Sequence, residues 1–376
     1  MCCSGEKVVA GLTTKPNLKL PMMRLPKFVY RTPRTIAEAV KIVADTGPES
    51  QFVAGGTDLY PNMKRRQQMP KTVISVMRLP ELNQITGESK SGIRIGASMT
   101  LTDIVENEII KRDYPVIAAA ARTISTPILR NMGTIGGNLL LDTRCNYYDQ
   151  NYEWRKAINF CLKKDGDVCW VAPGSSKCWA VQSSDLVPVM VAIGAKFRLV
   201  STLGERMIDA AGFYNDDGID YLKKRPDELL VDIHLPPTNG WRASYQKLRR
   251  RGAFDFPVLG VAAYVRYESA DGALPHGRAS DTRGSGVGTG SGSDRVVADA
   301  KIVLGGIAPS PVQVNESAQA LIGKPLNEDQ IQAAAEAAYV KARPLDNTDF
   351  VYQWRKQMAR QYTLRALNDV HSQSGR

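Results

Sequence analysis

Four of the chain's six cysteines crowd into 34 residues, at Cys145, Cys161, Cys169 and Cys178, with the spacing C-x15-C-x7-C-x8-C. Thiols at that density pair as disulfides, bind zinc, or hold an iron–sulfur cluster. Disulfides suit small secreted domains in an oxidising compartment. The stretch "MCCSGEKVVAGLTTKPNLKLPMMRLPKF" has no continuous apolar run of the kind a secretory signal needs, so a cytoplasmic chain with reduced thiols is expected. Structural zinc usually takes ligands in close C-x2-C pairs, which are absent here. A [4Fe–4S] cluster needs four thiolates around a cube, and their spacing along the chain is free to be irregular. His234, His276 and His371 all lie outside the segment and give nitrogen ligation no local support. On this chemistry the cluster leads, with zinc and unliganded thiols left open. Residues 142–180 also hold Tyr147, Tyr148, Tyr152, Trp154, Phe160, Trp170 and Trp179. These are either a shield around a cluster, whose burial tunes its potential, or the small core that any insertion needs.

Two glycine turns are the other chemical signal. "AGGTDL" spans Ala54–Leu59 and "GTIGGN" spans Gly133–Asn138. Adjacent glycines let backbone N–H groups come close to a ligand, and successive N–H groups form an anion-binding concavity suited to a pyrophosphate. Thr57, Thr134 and Asn138 would add side-chain hydrogen bonds. Neither turn is G-x-G-x-x-G or a Walker loop, and each taken alone reads as a structural turn.

Something must hold these features in place. A chain of 376 residues, 43% hydrophobic and 23% charged, is long enough for two or three globular domains. It has no run of 18 apolar residues, so no transmembrane helix is expected. The net charge of +11 is spread, with one dense run at Lys247, Arg249, Arg250 and Arg251. That favours an acidic protein partner or an anionic cofactor over nucleic acid, with a scaffold or nucleic-acid protein as the rival reading. "TIAEAVKIVADTG" and "PVIAAAARTI" read as helices, "SQFVAGGTDL" as a strand ending in a Gly-Gly turn, and "KTVISVMRL", "GIRIGASMTL" and "ELLVDIHLP" as strands. "SSDLVPVMVAIGAKFRLVS" reads as a short helix and then a strand. Residues 142–180 lack a clean period and look inserted into a domain that would be continuous without them. Beyond residue 240 come strand-rich patterns, a segment at 269–294 with seven glycines, a returning strand, and two helical patterns in the tail.

The order "FVAGGTDL", "RNMGTIGGNL", "SSDLVPVMVAIGA", "YQKLRRR" resembles the FAD-binding subunit of the xanthine dehydrogenase family of molybdenum hydroxylases, over roughly residues 26–350. The resemblance implies an α+β fold: a two-subdomain FAD-binding domain of the PCMH type, then a C-terminal α+β domain of the CO dehydrogenase flavoprotein type. It implies these boundaries: an N-terminal arm at 1–25, the FAD domain at 26–240 with the insertion at 142–180, the C-terminal domain at 241–350 with the loop at 269–294, and a helix and tail at 351–376. By motif, Ala54, Gly55, Gly56, Thr57 and Asp58 form the first pyrophosphate loop. Gly133, Thr134, Ile135, Gly136, Gly137 and Asn138 form the second. Asp185 matches the family's acidic flavin contact, although a helix N-cap is the other reading, with Ser183 and Ser184 competing for that role. Lys247 lies in the segment that approaches the flavin ring.

One branch, the β subunit of 4-hydroxybenzoyl-CoA reductase, inserts a [4Fe–4S]-binding segment at this same junction, and "LDTRCNYYDQNYEWRKAINFCLKKDGDVCW" is similar to it. The resemblance then implies Cys145, Cys161, Cys169 and Cys178 as cluster ligands. It implies an electron-transfer subunit fed by ferredoxin. Its partners would be a small [2Fe–2S] subunit and a large molybdenum subunit, in a dimer of heterotrimers that dehydroxylates an aryl-CoA. The alternative is a stand-alone FAD oxidoreductase with a zinc-stapled insertion. Arg144, Arg155, Lys156, Lys163, Lys164 and Lys177 are candidates for steering an acidic ferredoxin, against a plain mixed surface shared with Asp142, Asp149, Glu153, Asp165 and Asp167.

Overall fold

The computed structural model describes residues 23–238, 240–268 and 295–373. Cys2, Cys3, most of the N-terminal arm and the glycine-rich segment 269–294 with His276 lie outside the described residues. Three sheets carry the described chain. The first is parallel, with strands in the order Val29–Arg31, Thr72–Ser75, Ser50–Val53. The helix Ile36–Thr46 lies on it. Thr35 caps that helix by accepting from the Glu38 amide, and it stops at Gly47, whose φ of 74° suits glycine. Its buried face, Ala39, Val40 and Val43, packs on Ile74 and on Leu229 and Val231 of the second sheet, so the first two sheets share a core.

The second sheet is antiparallel, in the order Ile85–Glu88, Gly92–Gly96, Leu229–Leu235, Lys196–Ser201, Gly204–Asp209. Strand Leu229–Leu235 comes from beyond the cysteine segment and pairs with Gly92–Gly96 from before it. Every residue of the helix Leu186–Ile193 is buried, so this helix lies inside the molecule and not on its surface.

The third sheet, Val312–Gln313, Val297–Gly305, Leu259–Tyr267, Trp241–Leu248, is also antiparallel. Its strands alternate between two buried faces. Val261, Ala263 and Val265 meet the helices Asn315–Leu321, Glu328–Lys341 and Tyr352–Ser372. Ala262, Tyr264 and Tyr245 join the core around Leu186–Ile193. This explains the near-continuous apolar run "LGVAAYV". It also sets a direction: Tyr245 and Lys247, two apart on one strand, share the face that looks at the start of the buried helix. Among the described residues, no helix is long and apolar enough to cross a membrane.

Candidate functional site: a large cavity beside a cage of four thiols

The two glycine loops line one cavity of about 630 Å³, within the roughly 300–1,000 Å³ of small-molecule sites. The first loop leaves the strand Ser50–Val53 and the second opens the helix Ile135–Leu139. They press against each other. A Cβ on Gly55 would lie 1.7 Å from the Met132 carbonyl oxygen, so only glycine fits there. The amides of Gly55, Gly56, Thr57 and Asp58 donate to no acceptor among the described residues. Four consecutive unpartnered amides in a cavity wall form an anion cradle.

The second loop lines the same cavity with Gly133, Thr134, Gly136, Gly137 and Asn138. Most of its amides have protein acceptors: Ile135 donates to Met99 O at 2.9 Å, Gly136 to Ala97 O at 2.9 Å, Gly137 to the Thr134 hydroxyl at 3.1 Å, and Asn138 to Thr134 O at 3.0 Å, while the Thr134 amide has none among the described residues. Thr134 is a helix N-cap, and its hydroxyl oxygen is committed to Gly137. Asn138 Oδ1 accepts from the Ser184 hydroxyl at 2.6 Å, which ties the loop to the buried helix. Gly136 serves packing, since a Cβ there would sit 2.7 Å from Ala97 O. Gly137 alone leaves open room: a Cβ there would meet only the Thr134 hydroxyl, at 3.0 Å. Gly133 hydrogen bonds through its amide to Leu129 O and through its carbonyl to the Leu101 amide, so it too is held in the wall.

Asp185 also lines the cavity, and the capping reading goes to its neighbour. The Ser184 hydroxyl accepts from the Leu186 and Val187 amides, both at 3.2 Å, while Asp185 makes no cap bond. The buried Asp185 carboxylate instead accepts from Lys247 Nζ at 2.9 Å, from the Tyr245 hydroxyl at 2.8 Å and from the Thr123 hydroxyl at 3.4 Å. Lys247 Nζ also donates to Thr123 O at 3.0 Å. Burial raises the Asp185 pKa and lowers that of Lys247, each working against the attraction between them. Tyr245 and Thr123 are missing from the sequence-derived set. The two-residue period of the strand is the signal that points to Tyr245.

Asp58 sits in the first loop but turns away from an anion. Its carboxylate holds the Arg144 guanidinium and accepts from Asn62 Nδ2 at 2.9 Å. Burial raises its pKa, against the pull of Arg144. Arg144 also binds Asp149 at 3.1 Å and lies over the Phe256 ring at 4.4 Å. Arg144 Nε and Asn62 Oδ1 are buried in the cavity lining without a protein partner. The run of unpartnered amides in the first loop is what fits a ligand with phosphate groups, as FAD has.

The cysteine segment begins beside this wall. Arg144 and Val181 exchange both backbone hydrogen bonds, at 2.8 and 2.7 Å, closing a neck through which the chain leaves and returns. Beyond the neck, Cys145, Cys161, Cys169 and Cys178 are free, buried thiols that line one small cavity with Tyr147, Tyr148 and Trp170. Among the described residues, no three His, Cys, Asp or Glu side chains are grouped to hold a single metal ion. Burial pushes the Cys145 thiol up to about 12 and Cys178 up to about 11, and raises Cys161. Backbone amides oppose this, from Tyr147 toward Cys145, from Lys163 and Lys164 toward Cys161, and from Ala180 toward Cys178 at 3.4 Å. Buried thiols that receive amide donors fit ligands of an iron–sulfur cube, since hydrogen bonds to sulfur help to set cluster potential.

Two expectations shrink. Tyr152 and Trp154 are exposed, so the shield around the thiols is smaller than the aromatic count implies. Of the basic residues, Arg144, Arg155 and Lys163 are buried or nearly so, Lys177 pairs with Asp216 and Lys164 with Asp165. Only Lys156 remains as an exposed cation without an ion pair in that set.

Comparison with known proteins gives a consistent picture. Residues 26–238 match the family described as the FAD binding domain in molybdopterin dehydrogenase, and residues 243–370 match the CO dehydrogenase flavoprotein C-terminal domain. The chain is 27% identical over 346 residues to the carbon monoxide dehydrogenase medium chain of Hydrogenophaga pseudoflava, covering 91% of this chain and 96% of that one. It is 30% identical over 338 residues to the aldehyde oxidoreductase FAD-binding subunit of Escherichia coli (strain K12), covering 86% and 93%. A solved structure of carbon monoxide dehydrogenase from Hydrogenophaga pseudoflava, lacking the Mo-pyranopterin moiety, superposes with a TM-score of 0.70 at 25% identity, over 94% of this chain and 100% of that one.

Proposed function

The chain belongs to the family of FAD-binding domains of molybdopterin dehydrogenases, as an FAD-binding medium subunit of the xanthine dehydrogenase and CO dehydrogenase type, and on that premise we propose that it is the electron-accepting subunit of a molybdenum enzyme that reduces an aryl-CoA thioester. In this reading it draws electrons from a ferredoxin-class donor, binds a [4Fe–4S] cluster in the insertion and FAD in the large cavity. It serves a small [2Fe–2S] subunit and a large molybdenum subunit in a dimer of heterotrimers. The reaction is the reductive removal of the phenolic hydroxyl of 4-hydroxybenzoyl-CoA or a related aryl-CoA, after the enzyme whose β subunit the insertion resembles. Flavin exchanges electrons singly or in pairs and a cluster one at a time, so together they supply a relay.

The observation that carries this reading is the cage itself. Four buried thiols surround one cavity, three of them facing backbone amides, directly beside the flavin-sized cavity. Four thiolates can serve zinc or a cube, and the likeness of the segment to a cluster-binding insertion is what favours the cube. The free amides of Gly55–Asp58 would hold the pyrophosphate, and Asp185, fixed by Lys247 and Tyr245, would present a carboxylate to the flavin.

Iron, acid-labile sulfide and flavin content of anaerobically purified protein tests the proposal. Iron and sulfide are expected with flavin, and Cys161→Ser should lose the iron and keep the flavin. Zinc in place of iron would sink the relay.

A further inference from the structure

Between the two cavities lies an ion pair that neither the flavin site nor the thiol cage needs for its own shape. Lys163 Nζ donates to Asp142 Oδ1 at 2.8 Å, to the Thr143 hydroxyl at 2.8 Å and to Gly218 O at 2.6 Å. Asp142 Oδ2 accepts from the Tyr148 hydroxyl at 2.8 Å and from Gln68 Nε2 at 3.0 Å. Both charged side chains are 6% exposed. The ammonium has three acceptors and the carboxylate three donors, so neither group is free to turn. The ammonium also lies 4.9 Å from the centre of the Tyr148 ring and 5.2 Å from that of Tyr221.

The pair has a direction. Lys163 and Tyr148 belong to the wall of the thiol cavity, whereas Asp142 and Tyr221 belong to the wall of the large cavity. Lys163 also acts electrostatically on Cys178. Arg144 also acts on Asp142, but its own partners Asp58 and Asp149 outnumber it, so the charges on the large-cavity side stay negative on balance. A buried ion pair adds little net stability over an apolar pair of the same size, so stability gives weak reason for one here. In a low-dielectric wall its field on each side is considerable.

We infer that the Lys163–Asp142 pair is an oriented charge that narrows the gap in redox potential between the two cofactors, its cation raising the potential of the cluster and its anion lowering that of the flavin. This rests on the cluster and flavin reading above. Each reduction adds negative charge at the group reduced, which an adjacent ammonium favours and an adjacent carboxylate opposes. The cluster side then accepts an electron more readily from the donor. The flavin side stays strongly reducing toward the partner subunits, and little reducing power is lost between them.

The test uses anaerobically purified wild type, Lys163→Met, Lys163→Arg and Asp142→Asn, with iron and flavin measured first. Redox titrations follow, reading the cluster by electron paramagnetic resonance and the flavin by visible absorbance. Lys163→Met should move the cluster potential down by more than the flavin's. Asp142→Asn should move the flavin potential up by more than the cluster's. Lys163→Arg, which keeps the charge, should stay near wild type. Unchanged potentials in loaded Lys163→Met and Asp142→Asn would overturn the inference, as would Lys163→Arg shifting as far as Lys163→Met. If Lys163→Met fails to load its cofactors, Asp142→Asn decides alone. Wild type without iron defeats the cluster reading instead, a result seen before any potential is measured.

Discussion

Lys247 reaches across the chain to place its ammonium 2.9 Å from the Asp185 carboxylate, with each side chain only 3% exposed. The bond fastens the third sheet to the wall of the flavin cavity at the start of the buried helix. Removing either partner strands the other as an uncompensated buried charge. Lys247→Met should therefore cost about 3–5 kcal/mol, and adding Asp185→Asn should recover part of it. Denaturant midpoints of the single and double variants check this; a single variant as stable as wild type would show that the pair does not fasten the sheet.

The glycines of the second loop separate packing from ligand contact. Gly136→Ala drives a Cβ toward Ala97 and should destabilise the fold by about 1–3 kcal/mol. Gly137→Ala brings a Cβ to 3.0 Å from the Thr134 capping hydroxyl alone and should cost the flavin-free protein less stability than Gly136→Ala does, while lowering flavin occupancy. Melting curves and the flavin-to-protein absorbance ratio distinguish the two. Equal flavin loading in Gly137→Ala would remove that glycine from the ligand's path.

Lys224 gives a pH signature. It lines the flavin cavity and donates to Arg225 O at 2.8 Å. Burial lowers its pKa to about 8, although Glu228 and Asp227 pull it up. An unfolded lysine keeps its proton to about 10.4. Between those values the unfolded chain binds more protons, so stability rises with pH across the window, and the burial penalty is felt in full below it. Urea midpoints of flavin-free wild type should rise across the window relative to those of Lys224→Met, the comparison that removes the opposite trend of the buried Cys145 and Cys178 thiols, which keep their protons to about 12 and 11.

Asn347 connects the C-terminal domain to the thiol cage. Its carbonyl accepts from the Asn146 amide at 2.9 Å, its Nδ2 donates to Trp179 O at 2.7 Å, and these partners flank Cys145 and Cys178. The fully buried Arg355 holds Asn347 Oδ1 at 3.3 Å together with the carbonyls of Leu345, Gly306 and Val258. Asn347→Ala leaves buried polar groups short of a partner, at a cost of about 1–3 kcal/mol. If the thiols hold the proposed cluster, its iron should leave to a chelator about tenfold faster, the factor that 1.4 kcal/mol represents. A release rate equal to wild type would mean that the clamp does not act on the cage.

Much of this was readable along the chain because local rules and tertiary packing agree. Thr35 and Gly47 bound a helix whose apolar spacing faces a core. The run around Val261–Val265 reads as a strand because both of its faces are covered. Strand Val29–Arg31 is not legible, being three exposed residues whose pairing with Thr72–Ser75 is the only thing that makes them a strand. At the site, residue types were readable but their assignments were not. Thr134 and Ser184 both carry the capping chemistry that sequence allows to several neighbours. That the amides of Ile135 and Gly136 in the second loop donate to Met99 O and Ala97 O is not visible from its glycines. Asp142 and Lys163 read as members of a mixed surface. Their burial between two cavities depends on Gln68, Gly218 and Tyr221, which sequence distance conceals.

The neck at Arg144 and Val181 also makes the insertion a cassette. The segment leaves and rejoins at that pair and is tied down by further bonds, from the Asn146 amide to Asn347 O and from the Gly218 amide to Cys178 O. If the insertion is the electron port proposed above, this junction is the place at which to splice it onto a related flavin subunit.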